Sequence, residues 1–331
     1  MINLARFLQV LMLPTTYMRT ISVTLIILAS ALGLRAQQDP QFTHNMFNHA
    51  FVNPGSYGLS DGITVTSIFR EQWLGFKDYH GDKVAPETFL LTADAPVKFL
   101  HGGVGIGIAQ DKEAQIKNMI VKLGYSYHMN IGNAKLGIGL NANLNNKTID
   151  KSKLNPIDES DPVLAGLPGS GVLISDLSAG VFLQKPRYYV ALSSTQILES
   201  KKSTGSANGV AFYQNRRHYY VTAGYDITLP AFQGYVFTPS VFLKSDGNAL
   251  QADLNVMARY NNKIWYGVSY RMNDAISLII GMAYKDIEIG YSYDIPTSQI
   301  AATGSHEIMV RYRFKLEREK TRTGYRNTRY L

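Results

Sequence analysis

The chain contains no cysteine and little charge, with Asp, Glu, Lys and Arg making up 18% of it. Without cysteine there is no disulfide scaffold, no thiolate-ligated zinc and no cysteine nucleophile. Disordered chains combine high charge with few apolar residues, whereas 45% of this one is hydrophobic. Long apolar runs are missing as well. After Ala36 none reaches the roughly 20 residues of a spanning helix, and a mean hydropathy of −0.10 argues against a helical membrane bundle. Histidines are few and scattered: His44, His49, His80, His101, His128, His218 and His306. None forms an HExxH pair, and Asp39 is the sole acidic companion of His44 and His49, so neither metal nor cofactor is expected. There is no GxSxG elbow, and the alternation of Gly105 with Gly107 precedes no helix start. A serine hydrolase and a phosphate-binding loop are therefore not expected. A lipid hydrolase would require Ser and His to meet on a lipid-facing surface, and the chain is expected not to be an enzyme.

What is present begins with an export signal. Arg6, Arg19 and Arg35 are the only charges before Asp39, an apolar run spans Ile21 to Leu34, and Ala36 follows. Positive start, apolar middle and small residue at the cut are the order of a secretory signal peptide. Residues 1–36 are assigned to it, with Met18 an alternative start and an N-terminal membrane anchor the alternative reading. Cleavage after Ala36 lowers the formal charge from +8 to +5.

The remainder alternates with period two. Leu136, Ile138, Leu140, Ala142 and Leu144 share one face, and Lys135, Gly137, Gly139, Asn141 and Asn143 the other. The same holds for residues 250–260 and 287–294. Successive side chains of a strand point to opposite faces, so this is the pattern of strands apolar on one side. About fourteen such segments, near the roughly 9–11 residues of a tilted bilayer-crossing strand, predict an all-β, transmembrane, antiparallel up-and-down β-barrel over 62–314. Tyr125, Tyr127, Tyr266, Tyr270, Tyr291 and Tyr293 lie where aromatic girdles belong. Short turns (129–133, 185–186, 261–262, 285–286) alternate with long connections (71–85, 145–175, 196–216). That asymmetry puts the short turns in the periplasm and, with an even strand number, both ends of the mature chain there too.

Two segments flank the barrel. Residues 37–61 carry Phe42, Met46, Phe47, Phe51 and Tyr57, which need burial. The non-lipid face is rich in glycine: Gly103, Gly105, Gly107, Gly124, Gly137, Gly139, Gly267 and Gly290. Glycine in a strand marks a bend or the close approach of another backbone. Residues 37–61 therefore plug the lumen, or the glycines only permit curvature. Residues 315–331 form a basic periplasmic tail with Lys315, Arg318, Lys320, Arg322, Arg326 and Arg329. It is a solvated end or a docking arm for an acidic partner, and its place beside a lipid-embedded body argues against nucleic acid.

Four ordered motifs carry a family resemblance. Asp39, Pro40, Gln41, Phe42, Met46, Phe47 and Asn48, then Asn53-Pro54, resemble the opening QDPQFS-x-x-MFN…NPA of the PorP/SprF family. Arg70, Gln72, Trp73 and Gly75 resemble its R-x-QW-x-G element, Pro86 and Thr88 its APxT element, and Ser305-His306-Glu307-Ile308 its SHEI element. Gly55 replaces the usual Ala after Asn-Pro, and the tail after Phe314 is a second departure. The resemblance implies an outer-membrane component of the type IX secretion system, which exports folded proteins and in some bacteria supports gliding. Its implied partners are outer-membrane lipid and other components of that system: the periplasmic PorK–PorN ring, the peptidoglycan-binding PorE, or a large secreted adhesin. The motifs after the first strand and before the last gather at one mouth, either to close the barrel seam or to recognise a partner. The alternative function is a transporter or channel for small or apolar solutes.

Overall fold

A computed structural model describes residues 40–77, 79, 81, 83–150, 171–203, 211–297 and 303–315. The signal peptide, Asp39, His80 and the tail residues Arg318, Lys320, Arg322, Arg326 and Arg329 lie outside the described residues. The first half of the barrel runs β1 (Gly62–Glu71), β2 (Glu87–Val97), β3 (Gly102–Glu113), β4 (Ile116–Ile131), β5 (Ala134–Ile149), β6 (Val172–Gln184) and β7 (Tyr188–Thr195). A small hairpin, β8 (Lys201–Ser203) with β9 (Ala211–Gln214), interrupts it. The second half is β10 (His218–Tyr225), β11 (Tyr235–Ser245), β12 (Leu250–Tyr260), β13 (Ile264–Arg271), β14 (Ala275–Tyr284), β15 (Ile287–Pro296) and β16 (Ser305–Lys315). Fourteen strands close into one antiparallel barrel, with β1 pairing β16 across the seam from Gly62–Lys315 to Glu71–His306. Closure leaves no open sheet edge, which lipid would not tolerate.

The alternation read from the sequence becomes the wall. Leu140, Ile280, Leu192 and Val256 point outward and are 56–66% exposed, the surface a bilayer covers. Outward aromatics pair near the rims, as Tyr235 with Tyr260 (4.7 Å) and Tyr293 with His306 (5.0 Å). Pro239 lies inside β11, where its missing N–H falls on the β10 side. The ladder resumes in the same register at Ile227–Phe237.

Three expectations need correction. Residues 145–149 and 172–175 are strand rather than loop. There the outward positions are mostly polar, Asn146, Thr148 and Ser175 beside Leu173, so the apolar alternation that marks a strand thins out before the strand ends. The hairpin β8–β9 likewise stands within the expected loop 196–216. Finally, the loop asymmetry is partial: residues 114–115 and 272–274 are tight turns at the long-loop end, and 226–234 is a longer connection at the other.

The core lies inside the barrel. Phe42, Phe47 and Phe51 of the N-terminal segment pack with Ile68, Leu90, Ala109, Ile120, Met257, Trp265, Ile279 and Met309 from the inward faces. The segment has little regular structure: two 3-10 turns (Asn45–Phe47 and Pro54–Ser56) flank a single helical turn, α1 (His49–Val52). It descends the lumen. Pro40 and Gln41 lie against Tyr220, Lys244 and Gln251 near the end that bears Glu71 and Ser305. Leu59 to Gly62 lie at the end that bears Lys315. The two ends of the barrel strands thus share one side, while Pro40 sits at the opposite end of the lumen.

Candidate functional site

The N-terminal segment is held at its tip by charge. Glu307 points inward and is fully buried. Its carboxylate accepts the backbone N–H of Thr43 (2.8 Å), the backbone N–H of His44 (2.7 Å), and a hydrogen bond from His44 Nδ1 (2.7 Å). Arg70 lies directly opposite Glu307 across the seam. Its Nη1 donates to Glu307 (3.2 Å) and to Thr43 Oγ1 (3.0 Å), and its Nη2 to Asp294 (2.6 Å). The Thr43 hydroxyl in turn donates to Asp294 (2.8 Å). Arg271 extends the network, with Nε 3.2 Å from Asp253 and Nη1 3.2 Å from Asp274. Asp253 also accepts from Asn45 Nδ2 (3.3 Å). Burying charge is costly unless it is paired and hydrogen-bonded, and here each buried carboxylate answers a guanidinium or a backbone N–H of the segment. Glu307 therefore spans barrel seam and plug.

Lower down the backbone itself is the ligand. A Cβ on Gly137 would overlap the Gly55 carbonyl, and one on Gly103 or Gly105 would strike Tyr57. Glycine is needed there because the segment lies directly on the wall. Gly139 and Gly290 are similarly close to Pro54 and His44, whereas Gly124 and Gly267 face the barrel's own Asn141 and Met257. Polar side chains then satisfy the irregular backbone. Ser126 donates to the Gly55 carbonyl (3.0 Å), Asp94 accepts from Gly58 N–H (2.9 Å), and Lys122 donates to the Phe51 carbonyl (2.9 Å) while lying 3.9 Å over its ring. Asn53 folds back to accept Gly55 N–H (2.8 Å) and donates to the carbonyls of Val181 and Leu192. Burial pushes the Tyr57 phenol up to about 12. His49 packs across the stacked pair Phe182 (5.2 Å) and Tyr189 (4.9 Å), and burial lowers its imidazole to about 4.

The sequence motifs divide between inside and outside. Thr88, Arg70 and Glu307 stand in one ladder row across β2, β1 and β16, all inward and buried. They face the lumen one ladder row from the Glu71–His306 end, so these three motifs meet at that mouth, turned inward. Thr88 donates to Asp111 (2.5 Å). Phe42 meets Phe51 edge-on at 5.9 Å, Phe47 meets Trp265 at 5.4 Å, and Asn48 accepts from Thr92. Met46 packs against the same core and Pro54 opens a 3-10 turn.

Trp73 and His306 lie outside the lumen. Trp73 has a φ of 50°, unusual for a bulky residue, and its N–H reaches Ser305 Oγ at 3.3 Å. Gln72 N–H bonds the Pro86 carbonyl (2.9 Å), and Gly75 has a φ of 81°. His306 Nδ1 meets Tyr291 OH at 2.7 Å. Leu74, Phe76 and Tyr79 are exposed on the same loop. Lys315 is 85% exposed.

Sequence reasoning passed over Thr43, Lys122, Asp253, Arg271 and Asp294. The available signal was an ionisable residue on the polar face of a membrane strand, which points to a buried partner.

The model of a family described as type IX secretion system membrane protein PorP/SprF matches residues 34–312. No curated protein matches the sequence. Among solved structures, the Ralstonia pickettii toluene transporter TbuX is similar at 12% identity, covering 87% of this chain and 97% of that one with a TM-score of 0.47. The Pseudomonas putida toluene transporter TodX is similar at 10% identity, covering 86% of this chain and 96% of that one, TM-score 0.46. The Acinetobacter baumannii outer membrane protein Omp33 is similar at 11% identity, covering 78% of this chain and all of that one, TM-score 0.43.

Proposed function

The chain belongs to the PorP/SprF family of type IX secretion membrane proteins, and from that membership we propose a non-enzymatic barrel subunit that supports secretion or adhesin export through protein contacts. One observation carries this reading: the barrel's own motif residues, Arg70 and Glu307, are spent on fixing a segment that fills the lumen. A barrel built to pass solute has no use for a fully buried carboxylate whose hydrogen bonds all go to a lumenal segment and its anchor. The transporter alternative would need that segment to leave.

In this reading the end bearing Gly62 and Lys315 faces the periplasm, so the tail from Lys315 emerges beside periplasmic partners such as the PorK–PorN ring or PorE. Residues 40–61 run from near the outer mouth down the lumen to that side. The loop with Trp73, Leu74 and Phe76 then presents apolar side chains to a partner or secreted adhesin outside. Affinity capture of the tagged full-length protein from membranes, followed by mass spectrometry, tests the proposal. Type IX components should be enriched, and their absence from a capture of correctly inserted barrel would overturn it. Trp73→Ala should leave insertion intact and reduce secretion. Unchanged secretion would restrict this loop to closing the seam.

A further inference from the structure

Between plug and wall, at the end bearing Gly62 and Lys315, lies an open cavity of about 750 Å³. Further into the lumen lie the packed aromatic core and the charge network. One side is aromatic, with Phe182 and Tyr189 stacked at 5.6 Å and 15° and His49 across them. Among the described residues His49 Nδ1 has no hydrogen-bond partner. The rim is cationic: among the described residues Lys135, Lys185, Arg311, Arg313 and Lys315 line the cavity against Asp61 and Asp94. Asp94 is already occupied by Gly58 N–H. Behind the rim Glu288 is shared among Arg259 (3.7 Å), Arg311 (2.8 Å) and Arg313 (3.4 Å), so one carboxylate serves three guanidiniums.

We propose that this cavity receives an extended acidic segment of a partner protein, seating an aromatic side chain against half-buried Tyr189, which Phe182 backs, while its carboxylates meet the cationic rim. The inference rests on the periplasmic orientation proposed above. The chain's own tail is a poor occupant. It begins at Lys315 on the rim, and its Arg318, Lys320, Arg322, Arg326 and Arg329 exceed Glu317 and Glu319. Complementary charge speeds encounter and rejects wrong partners, and an aromatic anchor in a pocket supplies the hold.

The test is direct binding to the purified, full-length mature barrel in detergent, so it does not depend on the secretion machinery. The probe is a fluorescent hexapeptide of Asp and Glu around one Phe. Controls replace the acids by Lys, or the Phe by Ser. The acidic peptide should bind and the basic one should not, binding should weaken as salt rises, and the Ser version should bind at least tenfold more weakly. The double variant Lys185→Glu/Arg313→Glu should weaken binding at least tenfold. Should that variant fail to fold, Gln184→Cys provides a second readout, since the chain has no native thiol and Gln184 lines the cavity. The acidic peptide should shield that thiol from a maleimide. Equal binding of the basic peptide, or a thiol left unshielded at saturating acidic peptide, would overturn the proposal. Failure to capture type IX components alongside intact peptide binding would instead overturn the proposed function and leave the cavity assignment standing.

Discussion

The two halves of the lumenal segment are held by different physics. At the tip, Thr43 and His44 hang on Glu307, Arg70 and Asp294, all buried and charged. Further down, Gly55 and Tyr57 lie against glycines, and isolated side chains, Ser126, Asn141, Lys122 and Asp94, close the remaining bonds one at a time. Charge fixes position at long range but is expensive to bury, so it is used where one compact cluster can pair each carboxylate with a guanidinium or an N–H. Backbone contact on glycine costs no desolvated ion, yet it tolerates no added side chain. The tip is therefore vulnerable to losing a partner, and the base to gaining an atom.

That contrast can be broken from either side. The largest effect is expected for Arg70→Ala, which leaves Glu307 and Asp294 buried with a guanidinium missing. Breaking a buried pair by removing one member costs about 3–5 kcal/mol. Protease resistance of the segment and the heat-modifiable gel shift of the barrel should both fall, whereas Arg313→Ala, at an exposed position, should change them little.

A smaller effect is expected at the base. Gly137→Val forces a branched side chain into the Gly55 carbonyl, and overpacking of this kind costs about 1–3 kcal/mol. Gly267→Val serves as the comparison, because Gly267 faces Met257 and not the segment. Only the former should expose residues near Gly55 to protease.

The smallest effect concerns pH. Burial holds the His49 imidazole at about 4 against an ordinary 6.5. The unfolded segment therefore binds a proton that the docked one refuses. Its contribution is complete above pH 6.5 and is lost as pH falls from 6.5 towards 4. Protease resistance should decline across that window, and His49→Phe should flatten the decline while leaving the neutral-pH value nearly unchanged.

Much of the wall was legible in the sequence because lipid enforces it: Leu136, Ile138 and Leu140 face outward wherever the strand lies within the bilayer. Legibility stopped where lipid stops, at Asn146 and Thr148, since water outside imposes no alternation. The motif residues were visible as text but not as a site. Nothing in the spacing says that residues 44, 70 and 307 meet. Their meeting follows from the seam register, which sets Arg70 against Glu307, and from the segment's path through the lumen. The glycines signalled close approach, but Gly124 and Gly267 look the same in sequence as Gly137 and differ only in what the fold brings to them. Asp294 and Arg271 carried a usable signal, being charges on the inward face of strands otherwise apolar on the outside.

The central claim is that this barrel is closed by its own N-terminal segment and works through partners. Planar-bilayer conductance of the purified mature protein tests it most directly. The intact protein should give no steady ohmic current, and Arg70→Ala should show openings as the segment loses its anchor. A stable open conductance from the intact protein would contradict the claim.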